Sequence, residues 1–258
     1  MKKIALVGIG SRAVWCFGEL LKNDPRARIA AFCDPNRRRR EAGALELGLE
    51  NVAFYDSIEA LIAAGEKIDA AVITTPDYTH ADCAVAALNA GIPVLIDKPL
   101  ATTVEGCRRI IEAAERNHSF ALIGFNLRHH PVVKRMKKII DSGVLGKIFL
   151  VENREFYDGG RTYMARWNRL YGKSGGLWIH KGSHDFDLFN YFLGFPKPVK
   201  VSAFAGINVL NPEGIPFELK PGVPAGPDCS HCAYAAICPD IRAENNEMWD
   251  DRASGEDG

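Results

Sequence analysis

Ile4-Ala-Leu-Val-Gly8-Ile-Gly10-Ser-Arg12-Ala13 decides how the rest of this chain is read. A short apolar run ends in two glycines one residue apart, and a helical pattern begins at once. Such a pattern predicts a strand, a tight turn and the N-terminus of a helix. At that junction free backbone N–H groups and the helix dipole favour an anion, typically the pyrophosphate of a dinucleotide. Gly8 makes the turn, Gly10 lets the backbone approach the phosphates, and Ala13 stands where a small residue permits close helix–strand packing. Ser11 and Arg12 lie within the same turn. Taken alone, the pattern fits an ordinary β–turn–α unit as well as a nucleotide-binding one.

After the turn, Ala13, Phe17, Leu20 and Leu21 recur at helical spacing until Asn23-Asp24-Pro25. A second apolar strand, 28–33, is closed by Asp34, which lies where an acid can accept hydrogen bonds from an adenosine ribose. Asp34-Pro35 reads equally well as the start of the next helix. Arg37 and Arg38 follow closely enough to meet a 2′-phosphate; Asp34 favours NAD and the arginines keep NADP open. Further strands are expected at 52–55, 69–75, 93–97 and 120–125. Between them lie helices at 58–64, capped by Asp56 with Glu59, at 80–90, and from Thr102 with Glu105 to about 117. Strands alternating with helices predict a parallel, doubly wound Rossmann sheet over 1–124. Ligands of such sheets bind beyond the carboxyl ends of the strands. That rule gathers Gly8–Gly10, Asp34, Thr74-Thr75-Pro76 and Asp97-Lys98-Pro99 into one crevice.

The pattern changes near residue 125. An amphipathic helix is expected at 131–142, then two long, partly polar strands at 147–157 and 199–209, as in an antiparallel sheet with one wet face. Residues 125–258 are therefore expected to form a second, α+β domain with a mainly antiparallel open sheet. Between the two strands, a polar aromatic loop (158–176) leads into Gly175-Gly-Leu-Trp-Ile-His180-Lys-Gly-Ser-His184-Asp-Phe-Asp187, and a helix is expected from 183 to 193.

Composition narrows the function classes. The 258 residues carry 32 basic and 32 acidic side chains, so charge makes no case for nucleic acid or an anionic membrane. The basic run 37–40 reads as the solvated face of a helix. Met1-Lys-Lys before an apolar stretch imitates a signal peptide, but Gly8, Gly10 and Arg12 interrupt it too early and no small-residue cleavage site follows. No apolar run approaches a membrane span. Cys16, Cys33, Cys83 and Cys107 are scattered as buried free thiols usually are, and the expected compartment is the cytoplasm.

Two groups point to chemistry. Lys98 lies past a buried strand, before a proline that is trans or cis. Partial burial there lowers an ammonium's pKa, and its charge stabilises a developing alkoxide. His184 follows His180 by four residues, and a histidine is the natural acid–base group near neutrality. That spacing also fits a metal pair, although Gly182 lies between them and no third ligand is evident. Asp187 either orients His184 or decorates the helix start.

In combination these motifs resemble the Gfo/Idh/MocA oxidoreductases, the dehydrogenases typified by glucose–fructose oxidoreductase and inositol dehydrogenase. The resemblance rests on Gly8-Ile-Gly10-Ser-Arg-Ala13, Asp34, Thr74-Thr-Pro76 with His80, Asp97-Lys98-Pro99, and Gly175-Gly176 leading to His184-Asp-Phe-Asp187. It implies a cofactor site drawing on Gly8, Gly10, Ser11, Arg12, Ala13, Asp34, Arg38, Thr74, Thr75, Pro76, His80, Asp97 and Lys98. It also implies catalysis by Lys98 and His184. His180 stands where many members carry an aspartate, which leaves the usual Asp–Lys–His arrangement, and the substrate, open. Arg128, Tyr163, Lys181 and Asp187 are candidate substrate contacts, with His129 beside Arg128. The implied reaction is hydride transfer from a secondary hydroxyl of a sugar, polyol or cyclitol to NAD(P). An NAD-dependent glycoside hydrolase and a catalytically silent cofactor-binding protein are the alternatives. A small-molecule substrate and a homodimer or homotetramer built through the C-terminal sheet are the implied partners.

The segment 226–258 holds Cys229-Ser-His231-Cys232 and Cys238-Pro239, a spacing that fits a metal or iron–sulfur centre, or else incidental or redox-active thiols. Three thiolates leave a tetrahedral site one ligand short unless His231 completes it. The polar stretch 245–258 adds no closing strand, so the C-terminal sheet is expected to be incomplete.

Overall fold

The computed structural model describes residues 1–156, 167–207, 211, 214–215, 217–223 and 231–239. Its strands are β1 (Lys2–Val7), β2 (Ala27–Cys33), β3 (Ala53–Tyr55), β4 (Ala70–Ile73), β5 (Val94–Ile96) and β6 (Ala121–Ile123). All five pairings are parallel, in the order β3-β2-β1-β4-β5-β6. The strand order reverses between β1 and β4, which opens a crevice at their carboxyl ends.

Each central strand is apolar on both faces because helices cover both. Ala5, Val7, Ala71, Ile73, Val94 and Ile96 join one buried cluster, while Ile4, Leu6, Ile29, Phe32 and Val72 join the other. Period-two alternation explains the split along β1. On β2 a register shift pairs Ile4 with Ile29 but Ala5 with Ala31, so Ala30 is an extra residue. That bulge lets Ile29 and Phe32, three positions apart, share a face.

The glycine turn leads into a π-helical segment, Ala13–Gly18, continued by α1 (Glu19–Lys22). Next come α2 (Arg37–Leu47), α3 (Ile58–Ala63), α4 (His80–Asn89) after a short 3-10 turn (Asp77–Thr79), and α5 (Val104–Arg116). Two expected caps move by one residue. Ser57 accepts from Ala60 N at 3.2 Å and Thr103 from Gly106 N at 3.0 Å, in place of Asp56 and Thr102. Both caps have the extended backbone that the position requires. Asp56 instead pairs with Arg40, a buried residue of the run that had read as a solvated face.

Beyond β6, a 3-10 turn (Asn126–His129) precedes α6 (Pro131–Asp141). After residue 166 come the 3-10 turn Trp167–Arg169, α7 (Tyr171–Ser174), α8 (Leu177–His180) and α9 (Ser183–Leu193). The expected long strands do not form a ladder: among the described residues, 148–156 and 199–207 pair with no strand and not with each other. Phe149, Phe156 and Phe204 are almost fully exposed there. An extended segment becomes a strand only when its N–H and C=O groups meet a partner chain, which an alternating pattern does not supply. The described part of the tail is held by Tyr234, whose hydroxyl donates to Val223 O at 2.7 Å and accepts from Lys220 N at 2.8 Å.

Candidate active site

The turns after β1, β2, β4 and β5 converge with Trp167, Asn168 and His180 around one cleft of about 280 Å³. Gly8 has φ +83°, and a Cβ on it would lie 2.6 Å from Thr75 N, so only glycine fits between the first and fourth strands. Thr74 ties the same junction, its hydroxyl donating to Gly8 O at 2.7 Å. Gly10 differs: a Cβ there would meet nothing within 4 Å. Gly10, Ser11 and Arg12 line the cleft, whereas Ala13 is buried in the core beneath it. Gly8 therefore serves the backbone, and Gly10 leaves room for a ligand.

Asp34 is 5% exposed and lines the cleft. Its carboxylate accepts from Ile9 N at 2.7 Å and from Asn36 N at 2.8 Å, locking the turn after β2 to the glycine turn. It does not cap the next helix; Asn36 does, accepting from Arg39 N at 3.3 Å. Arg38 is exposed and does not line the cleft, and Arg39 takes the lining position instead. Helical spacing decides which arginine turns inward, and the exact helix start sets that phase.

Arg12 grips Asp97 with two bonds, Nε to Oδ2 at 2.7 Å and Nη2 to Oδ1 at 2.9 Å. The fork–fork geometry joins the turns after β1 and β5. Lys98 follows on a cis Lys98–Pro99 bond, and its ammonium donates to the His180 carbonyl at 2.5 Å. Burial pulls its pKa below that of an ordinary lysine, against the opposing pull of Asp77 and Asp97. His80 is 1% exposed; its ring nitrogens lie 2.7 Å from Pro99 O and 2.9 Å from Thr75 O, clamping two cleft turns together.

The two histidines of the second region differ sharply. His180 lines the cleft, its Nδ1 bonded to the buried carboxylate of Asp77, with Trp167 edge-on at 5.5 Å. His184 does not line it. Burial, with Lys98 nearby, pushes its pKa down to about 4, and its buried Nδ1 has no hydrogen-bond partner among the described residues. Asp187 neither orients His184 nor decorates a helix start. It is buried and accepts two bonds from Arg128, one of them from Nε at 2.8 Å. Arg128 and Asp187, both read as substrate contacts, thus satisfy each other away from the cleft, and Lys181 pairs with Glu155 at 3.0 Å. Tyr163 and Cys229 lie outside the described residues. Cys232 and Cys238 are free thiols, and no group of three metal-ligating side chains occurs among the described residues. No helix among the described residues is long and apolar enough to cross a membrane.

Asp77, Arg39, Trp167 and Asn168 escaped the reading of the sequence. Asp77 had a signal available, since it directly follows the Thr74-Thr75-Pro76 turn already assigned to the crevice. Trp167 and Asn168 had none beyond their place in a polar aromatic loop.

Comparison with known proteins agrees with the fold. Residues 2–125 match the family described as "Oxidoreductase family, NAD-binding Rossmann fold", and residues 137–215 match its C-terminal alpha/beta domain. The chain is 34% identical to YteT of Bacillus subtilis (strain 168) over 220 residues, 83% of this chain and 51% of that one. It is 31% identical to scyllo-inositol 2-dehydrogenase (NAD(+)) of the same organism over 193 residues, 74% of this chain and 54% of the relative. Among solved structures, the WlbA dehydrogenase from Bordetella pertussis in complex with NADH and UDP-GlcNAcA is 26% identical. Its TM-score is 0.63, with 74% of this chain and 55% of that one covered. The chain spans about half the length of the curated relatives it matches. With both domain models matched in order along it, the chain belongs to the Gfo/Idh/MocA oxidoreductase family and carries that family's NAD-binding Rossmann fold.

Proposed function

We propose that the protein is an NAD-dependent dehydrogenase that oxidises a secondary hydroxyl of a polyol or cyclitol. The observation that carries this reading is the meeting, in one cleft, of a half-buried ammonium and an imidazole with the glycine turn. The residues fit the cofactor: Gly10, Ser11 and Arg12 would hold the pyrophosphate in the space a Cβ would fill, and Asp34 the adenosine ribose. A buried carboxylate at that position repels a 2′-phosphate and favours NAD over NADP, Arg39 notwithstanding. When bound, the nicotinamide supplies the hydride acceptor.

The chain's own groups supply the rest. Lys98 is desolvated, so its charge acts strongly on an oxygen placed beside it and stabilises alkoxide character. A cleft histidine takes the hydroxyl proton. The Arg12–Asp97 pair, its carboxylate buried, and the His80 clamp hold the Lys98 turn in place. Similarity to inositol dehydrogenases supports a cyclitol among the substrates tried first.

The test is a panel of cyclitols, polyols and sugars with NAD or NADP, followed by absorbance of the reduced cofactor. Net reduction with a free polyol is expected. Tight cofactor binding without turnover across the panel refutes the dehydrogenase reading, and aglycone release without net reduction assigns the chain to glycoside hydrolysis instead.

A further inference from the structure

We infer that Arg128 and Asp187 are positioning residues, whose ion pair sets the distance between His184 and Lys98. The inference deepens the proposed dehydrogenase and rests on it, with His184 taken as the proton acceptor that the family resemblance implies. Oxidation requires one substrate oxygen to lie against both groups. Its proton passes to His184, the carbon–hydrogen electron pair leaves as hydride to the oxidised dinucleotide, and Lys98 stabilises the alkoxide character between them. The two groups come from separate parts of the fold, Lys98 from the turn after β5 and His184 from the start of α9. A misplacement of about 1 Å between them is enough to cost most of the rate. The buried Nδ1 of His184 has no hydrogen-bond partner among the described residues, so the ring takes its place from the helix that carries it.

One continuous span joins the two groups. Gly124, just past β6, donates its N–H to Ile96 O at 2.7 Å, and a Cβ on it would lie 3.3 Å from Asp97 Cα. This turn is therefore seated on the residue before Lys98. Phe125 follows, its ring in a T-shaped contact with His184 at 6.2 Å between centroids. The 3-10 turn Asn126–His129 then carries Arg128. Its guanidinium meets Asp187 fork to fork, Nε to Oδ2 at 2.8 Å and Nη2 to Oδ1. Asp187 lies one turn after His184 on the same face of α9. The pair acts on His184 without touching it.

The surroundings of the pair point to precision more than to stability. The rings of Phe125, Tyr191 and Phe195 lie 5.7, 5.4 and 5.4 Å from the Arg128 guanidinium carbon. Phe195 has φ +58°, a left-handed backbone that a bulky L-residue rarely adopts, and in it the ring reaches the guanidinium. The Asp187 side chain is 4% exposed, and a buried charge pair gains little stability over two well-packed apolar side chains. What it adds is direction. Fork-to-fork bonding admits one distance and one orientation, whereas apolar packing tolerates a shift of the helix.

Arg128→Met combined with Asp187→Leu is the decisive variant, because replacing both partners strands no charge. Four quantities are read on it: the urea midpoint, NADH affinity by fluorescence, the rate of NAD reduction with the fastest polyol or cyclitol, and the ¹H–¹⁵N titration of His184. The midpoint is expected to return near wild type and the NADH Kd to stay, while kcat falls about 10²-fold with KM little changed. Burial, Lys98, Lys181 and Arg12 hold the His184 pKa at about 4, against the pull of Asp97. A loosened helix start admits water and draws His184 away from Lys98, so its pKa rises towards 6.5. Wild-type kcat, or a His184 titration still near 4, in a double variant of wild-type stability overturns the inference. A raised KM with unchanged kcat also overturns it and makes Arg128 a substrate contact. If the double variant does not regain its midpoint, Arg128→Lys, which keeps the cation and loses the fork, takes the same readouts. Absence of turnover with every polyol refutes the proposed reaction, whereas the His184 titration needs no substrate and still decides whether the pair positions the helix.

Discussion

Gly8→Ala and Gly10→Ala, two residues apart in one turn, are expected to fail in opposite ways. At Gly8 the backbone is left-handed, with φ +83°. An L-residue there costs about 1–2 kcal/mol. The added methyl would also sit 2.6 Å from Thr75 N and 2.7 Å from Thr75 Cα, both backbone atoms that cannot swing aside. Overpacking of that kind costs about 1–3 kcal/mol, giving a total of about 2–5 kcal/mol. That is a large share of a typical domain stability, and it corresponds to a drop in urea midpoint on the order of 1–2 M. At Gly10 a Cβ meets nothing within 4 Å and φ is ordinary. Stability should therefore stay within about 0.5 kcal/mol of wild type. The methyl instead enters the space where the pyrophosphate would lie, and the Kd for NAD is expected to rise at least tenfold, about 1.4 kcal/mol. Urea unfolding followed by circular dichroism reads the first effect, and NADH fluorescence titration reads the second. Wild-type NADH affinity in Gly10→Ala, or a wild-type urea midpoint in Gly8→Ala, would refute the division of labour between the two glycines.

Three further perturbations probe the same geometry. Arg128→Met strands the Asp187 carboxylate, whose side chain is 4% exposed; the expected loss is about 2–3 kcal/mol, at the low end for a broken buried pair because Arg128 is partly exposed, and Asp187→Leu added to it should restore most of the urea midpoint. His184 has a pKa lowered from 6.5 to about 4; below 6.5 the unfolded chain binds the extra proton, so this group's stabilisation is present above 6.5 and is lost as pH falls towards 4, and His184→Gln should flatten the stability curve over that window. Burial pushes the Cys33 and Cys83 thiols up to about 12 and 11, so mass spectrometry should find both unalkylated by iodoacetamide at pH 8 in native protein and fully alkylated in urea.

Local chemistry and periodicity were enough for the first domain. Alternating apolar runs and amphipathic stretches placed all six strands, because a strand buried on both faces must be apolar throughout and a covering helix must show one apolar stripe. They placed Gly8, Gly10, Asp34, Thr74-Thr75-Pro76 and Lys98 around one crevice, because strand ends in a doubly wound sheet share a side. The same local signals could not tell Arg38 from Arg39, where one residue of helical phase decides which side chain turns inward. Nor could they tell Thr102 from Thr103 as a cap, where only backbone dihedrals discriminate.

Pairing across long sequence separations belongs to the tertiary structure. Asp187 was read beside His184, its neighbour on the helix, yet its partner is Arg128, 59 residues away. His180 was read as a departure from a pattern, yet it meets Asp77 across 103 residues. The segments at 147–157 and 199–209 alternate as strands do, but alternation describes a face and not a partner. Which groups are desolvated, and which carboxylate each buried cation or imidazole meets, depends on how loops from separate strands pack at one cleft. Sequence alone determined where the glycine turn and Lys98 stand; only the fold decided which histidine is given a carboxylate.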